Sequence, residues 1–460
     1  LMLSKSISPS SAPHVGNGLR PKSRWPLSRR SSIHFGSFLS REILATTSGV
    51  RPRCAEAPAT SLSISRRLSR AAVEFLPPFA VALLILPFII QYGKLIPWHP
   101  STIDLQVYVY AVKDMLAGKD IFATTTPFWN LYFIYPPIAA ILMTPLAFGP
   151  YALWQVVWTG GLVWAQQSVL KRCGAPRGWK LGLIGIAVVL AVEPIRTTLG
   201  YGQVNTILMA LVVADLLPDA PGERRRIPQG TLIGLAAAIK LTPALFVIFA
   251  FLIGKTRVAI TAMISFAVFT GIGAILLFRE TLVFFGGLSG GDTRTASPLY
   301  TGNQSLLGVF FRLGDSSRVT TLVGLAVSAI LAVLGCLVAA HWWRQDEKVF
   351  AVAIVGLTTC LASPLSWTHH YVWILPMAMA VLSPGVPRWA RYLGGFWVVW
   401  VCVCLPLAVL PYGGGRERQF DFLQQVVANL GPIVGVILFV GLAWQLVASP
   451  RLQPAKATAG

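Results

Sequence analysis

The residues able to do chemistry in this sequence stand in a few short polar interruptions of apolar runs. Asp104 lies in STIDLQVYVY, Lys240 in LAAAIKLTPAL, Glu193 and Arg196 in VEPIRTTLGYGQVN, and His369 and His370 in SPLSWTHHYVW. An ionisable side chain at membrane depth costs about 2.5 to 3.5 kcal/mol on insertion scales, so each needs an interfacial position or a function. A carboxylate such as Asp104 can take a proton from an attacking hydroxyl, and a cation such as Lys240 can hold a phosphate. Each also has a competing structural role. Asp104 suits a helix N-cap with Thr102 beside it, Lys240 can snorkel, and Glu193 and Arg196, three apart on one face, can neutralise each other. On an α-helix His369 and His370 would point about 100° apart, so one faces a given site and the other packs. Beside Trp367, Tyr371 and Trp373 they also suit an interfacial aromatic belt. The carboxamides of Gln203, Asn205, Asn303 and Gln304 can bind sugar hydroxyls or satisfy backbone groups.

Composition places these residues in a membrane. Of 460 residues, 55% are hydrophobic and 12% charged, with a mean hydropathy of +0.65, where soluble domains carry about 25% charged residues. Many runs reach the roughly 20 apolar residues that a bilayer core of about 30 Å requires, without the alternation of strands. The expectation is an all-α polytopic membrane protein. The net charge of +21 is no sign of nucleic-acid binding, because it is concentrated. The first seventy residues hold twelve Lys or Arg against Glu42 and Glu56, and much of the rest lies in short loops between apolar runs, the positive-inside pattern. Cys54, Cys173, Cys336, Cys360, Cys402 and Cys404 are scattered, with no CxxC pair or metal-ligand spacing, so no metal or other cofactor is expected. No Walker loop or dinucleotide GxGxxG is present to bind ATP or a nucleotide sugar.

The elements that must position these residues follow from the order of the chain. Residues 1–72, rich in Ser, Pro and Arg, read as a disordered cytoplasmic tail, a composition shared with transit peptides. A first span near 73–93 leads outward to an ordered outer loop, 96–135, in which apolar positions 105, 108, 109, 112 and 116 predict a helix lying at the membrane surface. Further spans are expected near 151–170, 181–199, 204–217, 258–278, 319–340, 348–362, 370–383, 392–410 and 424–448, with a cytoplasmic tail at 449–460. Two segments break the count. Residues 134–149, with Pro136, Pro137 and Pro145, should not cross, and 230–254 should enter and return, turning near Lys240 and Pro243. That gives about ten crossings, or about twelve membrane segments. Basic loops then fall inside, and the polar, non-basic stretches, including a second outer loop at 280–317, fall on the outer side.

In this order an outer-loop aspartate, YPP at 135–137, GYGQVN, AAAIKLTP, GNQSL and SPLSWTHHYVW resemble glycosyltransferase family 87, the actinobacterial integral-membrane mannosyltransferases of GT-C fold. The likeness spans about residues 73–448. It implies a GT-C-type bundle in the plasma membrane with its active site facing the periplasmic side. It also implies a donor, polyprenyl-phosphate-mannose, and a phosphatidylinositol mannoside acceptor, joined by an inverting, metal-independent transfer that forms an α-1,2-mannoside. Under that resemblance Asp104 would be the general base, assisted by His369 or His370. Lys240, one of the histidines and Arg196 would hold the donor phosphate, with Glu193 in support. Gln203, Asn205, Asn303, Gln304, Tyr135 and Trp367 would bind sugars, and Trp373 would stack or anchor. Two alternatives stand beside it: α-1,2-branching of lipomannan or lipoarabinomannan, and a lipid or glycan transporter, which would show inverted repeats and polar residues on both faces.

Overall fold

The computed structural model describes Leu76, Ala80 and residues 102–127, 130–218, 225–290 and 297–448. The expected tails at 1–72 and 449–460 lie outside the described residues, as do 96–101 and, but for Leu76 and Ala80, the first span. Among the described residues every regular element is a helix, and the pairings Thr125 with Tyr132 and Asn303 with Trp367 are isolated bridges. The chain is an all-helical, multi-pass membrane protein.

Among the described residues four helices are long and apolar enough to cross a bilayer: Thr256–Leu276, Arg318–Arg344, Arg388–Val409 and Phe422–Ala448. A fifth candidate, Trp179–Ala191 with Glu193–Tyr201, bends by 86° at its break. The expected spans at 204–217 and 348–362 are helices of 12 and 15 residues, Asn205–Leu216 and Lys348–Ala362. At 1.5 Å per residue they rise about 18 and 22 Å, short of a hydrocarbon core of about 30 Å. Residues 370–383 are shorter still as a regular helix, because a 3-10 turn, Thr368–Trp373, precedes Ile374–Ala380. By length and composition the described residues therefore hold four helices able to cross alone, or five with the bent pair, where about twelve membrane segments are expected for the whole chain.

The two irregular segments are short and broken. Pro137–Leu142 and Thr144–Ala147 are single turns divided at Met143. Thr231–Ile239 ends at Lys240, whose backbone is extended, and the chain resumes helically through Thr242–Ala244 and Leu245–Leu252. Pro243 lacks an N–H and cannot continue the first helix. A Cβ at Gly230 would lie 2.2 Å from the Val258 carbonyl and one at Gly234 2.3 Å from that of Ala262, so Thr231–Ile239 runs parallel to the start of Thr256–Leu276. Leu245–Leu252 must then come back, and Arg344 Nη2 donates to the Leu252 carbonyl at 2.6 Å.

That return gathers the basic loops at one end of the bundle. Lys255 lies over the Trp343 ring at 5.0 Å, Arg172 donates to the Pro218 carbonyl, and Arg225 pairs with Asp215 at 3.2 Å. Lys348–Ala362, buried along nearly its whole length, forms the central post. It leaves this basic end and delivers the chain to residues 363–373 at the other. Glycines permit the close approaches: a Cβ at Gly335 would meet Thr358 Oγ1 at 2.2 Å, and one at Gly356 would meet the Trp373 ring at 2.1 Å. Ile103–Leu116 forms as expected, but Leu105, Tyr108, Val109 and Val112 are buried against protein and Leu116 is exposed. The apolar face that the spacing predicts thus packs on protein and makes a wall of the interior.

Candidate active site

A cavity of about 1990 Å³ opens at the end away from the basic loops, lined by Asp104, Tyr135, Glu193, Gln203, Lys240 and both histidines, among others. Small-ligand pockets hold about 300 to 1,000 Å³. One wall is polar, and Phe284, Leu288, Leu322 and Leu325 make an apolar face suited to lipid chains.

Asp104 is delivered by a tight junction of two helices. Thr102 is the N-cap of Ile103–Leu116, in a left-handed conformation (φ 46°) and without a side-chain capping bond. Asp104 is therefore not the cap; it is the second residue of the helix. The Thr102 N–H donates to the Gly200 carbonyl at 2.8 Å, and Gln155 Nε2 donates to Thr102 Oγ1 at 2.9 Å. Gly202 ends Glu193–Tyr201 with φ +73°, and a Cβ there would lie 2.8 Å from the Cβ of Leu105. Only glycine meets both demands, which explains the GYGQVN spacing. The approach sets Gln203 beside Asp104, whose carboxylate it hydrogen-bonds. Gln203 Oε1 accepts from the hydroxyls of Tyr135 (2.7 Å) and Tyr108 (3.2 Å). Asp104 belongs to no spanning segment. Burial pushes its carboxyl up from 3.8 to about 7, against the opposing pull of the Gln203 hydrogen bond and the Lys240 charge. A carboxyl near neutrality is matched to proton abstraction at physiological pH.

Lys240 does not snorkel. Its ammonium donates to Asn205 Oδ1 at 3.1 Å, stands 3.3 Å from His370 Nε2 and lies over the Tyr135 ring at 5.6 Å. His370 Nδ1 accepts the Trp367 N–H at 3.2 Å, so a neutral ring carries its proton on Nε2. Two donors then face one another, an arrangement that an anionic oxygen between them completes. The histidines do not divide into one that faces the site and one that packs. They sit on a 3-10 turn and not an α-helix, their rings meet edge to face at 4.7 Å, and both line the cavity. Nor do they form a surface belt, since His369 is buried. Its carbonyl accepts from Thr198 Oγ1 and Asn205 Nδ2, both at 2.9 Å, its ring meets Tyr201, and its Nε2 has no partner.

Several expected sugar ligands have other work. Asn205 spends its amide on Lys240 and the His369 carbonyl and lies outside the large cavity. Asn303 is fully buried, donating to the carbonyls of Pro298 and Pro364 and accepting from the N–H groups of Ser305 and Ser366. Gln304 donates to the carbonyls of Thr301 and Ala428. These three staple backbone, as carboxamides in irregular segments often must. Trp373 packs on Gly356 and, at 4.9 Å, on Phe246. Gln203, Tyr135 and Trp367 do line the cavity.

Glu193 and Arg196 line it too but form no ion pair. Glu193 Oε1 accepts from Thr197 Oγ1 (2.6 Å) and Thr368 Oγ1 (3.3 Å), while Arg196 donates to the Leu190 carbonyl at 3.0 Å. Arg196 thus stands in the Glu193 corner, and no contact joins it to Lys240. Sequence reasoning passed over Tyr108, Tyr201, Tyr300, Thr368 and Tyr412, all on the cavity wall. For Tyr201 the signal was its place before Gly202, and for Tyr108 its place on the apolar face of Ile103–Leu116; Tyr300 and Tyr412, in loops, gave none. Among the described residues no group of three or more His, Cys, Asp or Glu is placed to hold a metal.

In a multi-pass membrane protein, a cavity that joins an open carboxylate to a buried cation suits group transfer from a lipid-borne anion, and comparison with known proteins gives the class. The model of glycosyltransferase family 87 matches residues 133–364. The chain is 31% identical over 358 residues to the polyprenol-phosphate-mannose-dependent α-(1-2)-phosphatidylinositol pentamannoside mannosyltransferase of Mycolicibacterium smegmatis, covering 73% of this chain and 83% of that one. It is 31% identical over 318 residues to the polyprenol-phosphate-mannose-dependent α-(1-2)-phosphatidylinositol mannoside mannosyltransferase of Mycobacterium tuberculosis, covering 64% and 72%. An α-(1->3)-arabinofuranosyltransferase of the same species is 23% identical over 313 residues, covering 64% and 69%. No solved structure matches. The chain belongs to glycosyltransferase family 87 and is a glycosyltransferase, which sets the transporter reading aside. Lys240 lies inside the family match; Asp104, His369 and His370 lie outside it.

Proposed function

We propose that this protein transfers mannose from polyprenyl-phosphate-mannose to a phosphatidylinositol mannoside on the outer face of the plasma membrane, forming an α-1,2-mannosidic bond with inversion. The observation that carries the reading is the pairing, across one cavity, of Asp104 with the Lys240 and His370 donors. The acceptor 2-hydroxyl attacks the anomeric carbon, its proton passes to Asp104, and the carbon–oxygen bond to phosphate breaks with the electron pair leaving on the phosphate. Lys240 and His370 stabilise that charge, so the leaving group needs no strong acid. His369 borders the reacting centre, and Gln203 holds the base in place. The relatives named for this donor and acceptor support the substrate assignment, and the distance of the cavity from the basic loops supports an outward orientation. We take the transfer to need no metal, its charge being met by Lys240. Nucleic acid has no part in it.

The test is transfer of radiolabelled mannose from polyprenyl-phosphate-mannose to phosphatidylinositol mannosides by the purified protein, with EDTA present. Product sensitive to α-1,2-mannosidase is expected. No transfer, or transfer that EDTA abolishes and a divalent metal restores, overturns it. Lipomannan accepted in place of the phosphatidylinositol mannosides would move the assignment to the branching reaction.

A further inference from the structure

The cavity has a second corner, away from Lys240, that the proposed chemistry does not use. Tyr300 stands between Trp367 and Tyr412, its ring 5.5 Å from the one and 5.7 Å from the other, in edge-to-face contacts. All three line the cavity together with Tyr201, which interacts electrostatically with Asp104 as well as with Tyr300 and Tyr412.

Three separate segments have been tied together to build this corner. Glu417, buried, accepts at Oε1 from the Thr301 N–H (3.2 Å) and the Gly413 N–H (2.8 Å), which immediately follow Tyr300 and Tyr412. Arg312, also buried, donates to the Tyr300 carbonyl at 3.2 Å. Trp367 is brought in by its bridge to Asn303. A Cβ at Gly302 would lie 2.5 Å from the Tyr300 ring, so glycine lets that ring fold over its own backbone. Two buried charged side chains spent on two loop positions mark a built surface and not chance exposure of aromatics.

The chemistry of the corner selects its ligand. Tyrosine and tryptophan offer an apolar face with a polar tip, the match for a pyranose, whose carbon–hydrogen face is apolar and whose rim carries hydroxyls. The charged side chains that build and border it come in both signs, Glu417 with Arg312 behind the loops and Glu193 with Arg196 on the cavity wall, so it offers an anion less than the Lys240 corner does. We propose that Tyr300, Trp367 and Tyr412 form a subsite for the neutral glycan of the acceptor, with Tyr201 guiding its terminal sugar to Asp104. The subsite rests on the mannosyl-transfer reading for the identity of that glycan.

The experiment measures equilibrium binding without donor, in nanodiscs, with phosphatidylinositol, a phosphatidylinositol mannoside and polyprenyl phosphate as probes. Wild type should prefer the mannosylated lipid to phosphatidylinositol about tenfold. Tyr300→Ala, Trp367→Ala and Gly302→Ala should each remove most of that preference and change polyprenyl phosphate binding less than about twofold, while Tyr300→Phe keeps at least half of it. Equal affinity of wild type for the two inositol lipids overturns the subsite. So does a preference unchanged in Gly302→Ala and Trp367→Ala, or an equal loss for polyprenyl phosphate. Where Tyr300→Ala or Trp367→Ala fails to fold, Gly302→Ala decides. Glycan-dependent binding as described, with no mannose transfer by wild type, sinks the reaction and leaves the subsite standing.

Discussion

Two aspartates in this chain meet the cost of burial in opposite ways. Asp215, in the apolar run LMALVVADLL, is completely buried, and its Oδ2 accepts the N–H groups of Gly230 (2.9 Å), Leu232 (2.8 Å) and Ile233 (2.9 Å). Arg225 pairs with its Oδ1 at 3.2 Å. It caps the entry of Thr231–Ile239 from a neighbouring helix, satisfying donors that a helix start leaves open. Asp104 has one amide and a distant ammonium for company and faces a cavity. A saturated carboxylate holds structure; one left short of partners, beside empty space, is available to a substrate.

The largest expected effect breaks the first half of that contrast. Asp215→Ala strands three N–H groups, so at about 1 to 3 kcal/mol for each buried donor it should lose about 3 kcal/mol of stability or more. Thermal unfolding of the detergent-solubilised protein should show this, while the surviving folded fraction keeps its turnover per molecule. Next, Lys240→Met, which preserves length and loses charge, should lower kcat for mannose transfer about 100-fold or more, with little change in unfolding temperature. A Lys240→Met protein within threefold of wild type would detach the cation from the leaving group. Asp104 must be ionised to accept a proton, so kcat/KM should fall about tenfold per unit as pH drops below about 7 and level off above it. A profile flat from pH 5 to pH 8 would contradict that assignment. Smallest of all, Asn303→Ala or Gln304→Ala should destabilise the protein by about 1 to 3 kcal/mol per stranded backbone group while moving the acceptor KM less than about twofold. A selective tenfold rise in that KM would return them to the sugar-binding set.

Much of the fold was legible because bilayer thickness and the missing N–H of proline act locally. The break at Lys240 follows from Pro243, and the apolar face of Ile103–Leu116 from its spacing. Asp104, Lys240 and the histidines were legible as well, since ionisable groups beside apolar runs need a reason. The same argument applied to Asp215 and would have misled, for only tertiary structure shows that its partners come from residues 225–233. The spans expected at 204–217 and 348–362 are the short helices Asn205–Leu216 and Lys348–Ala362, both largely buried in protein, and hydropathy alone does not report that shortness. Asn303 and Gln304 resembled ligands because sequence gives the amide and not its partner. Trp367 was legible as a sugar ligand, but its corner with Tyr300 and Tyr412 was not, being assembled by Glu417 across more than a hundred residues.

The account turns on Asp104 as the base, and the Asp104→Asn protein tests this most directly. Asparagine keeps the shape and a hydrogen bond to Gln203 but cannot take up the proton. Single-turnover mannose transfer at saturating donor and acceptor should fall at least about 100-fold, with unfolding temperature unchanged or higher and donor binding intact. Transfer within about threefold of wild type by a folded Asp104→Asn protein would contradict the account.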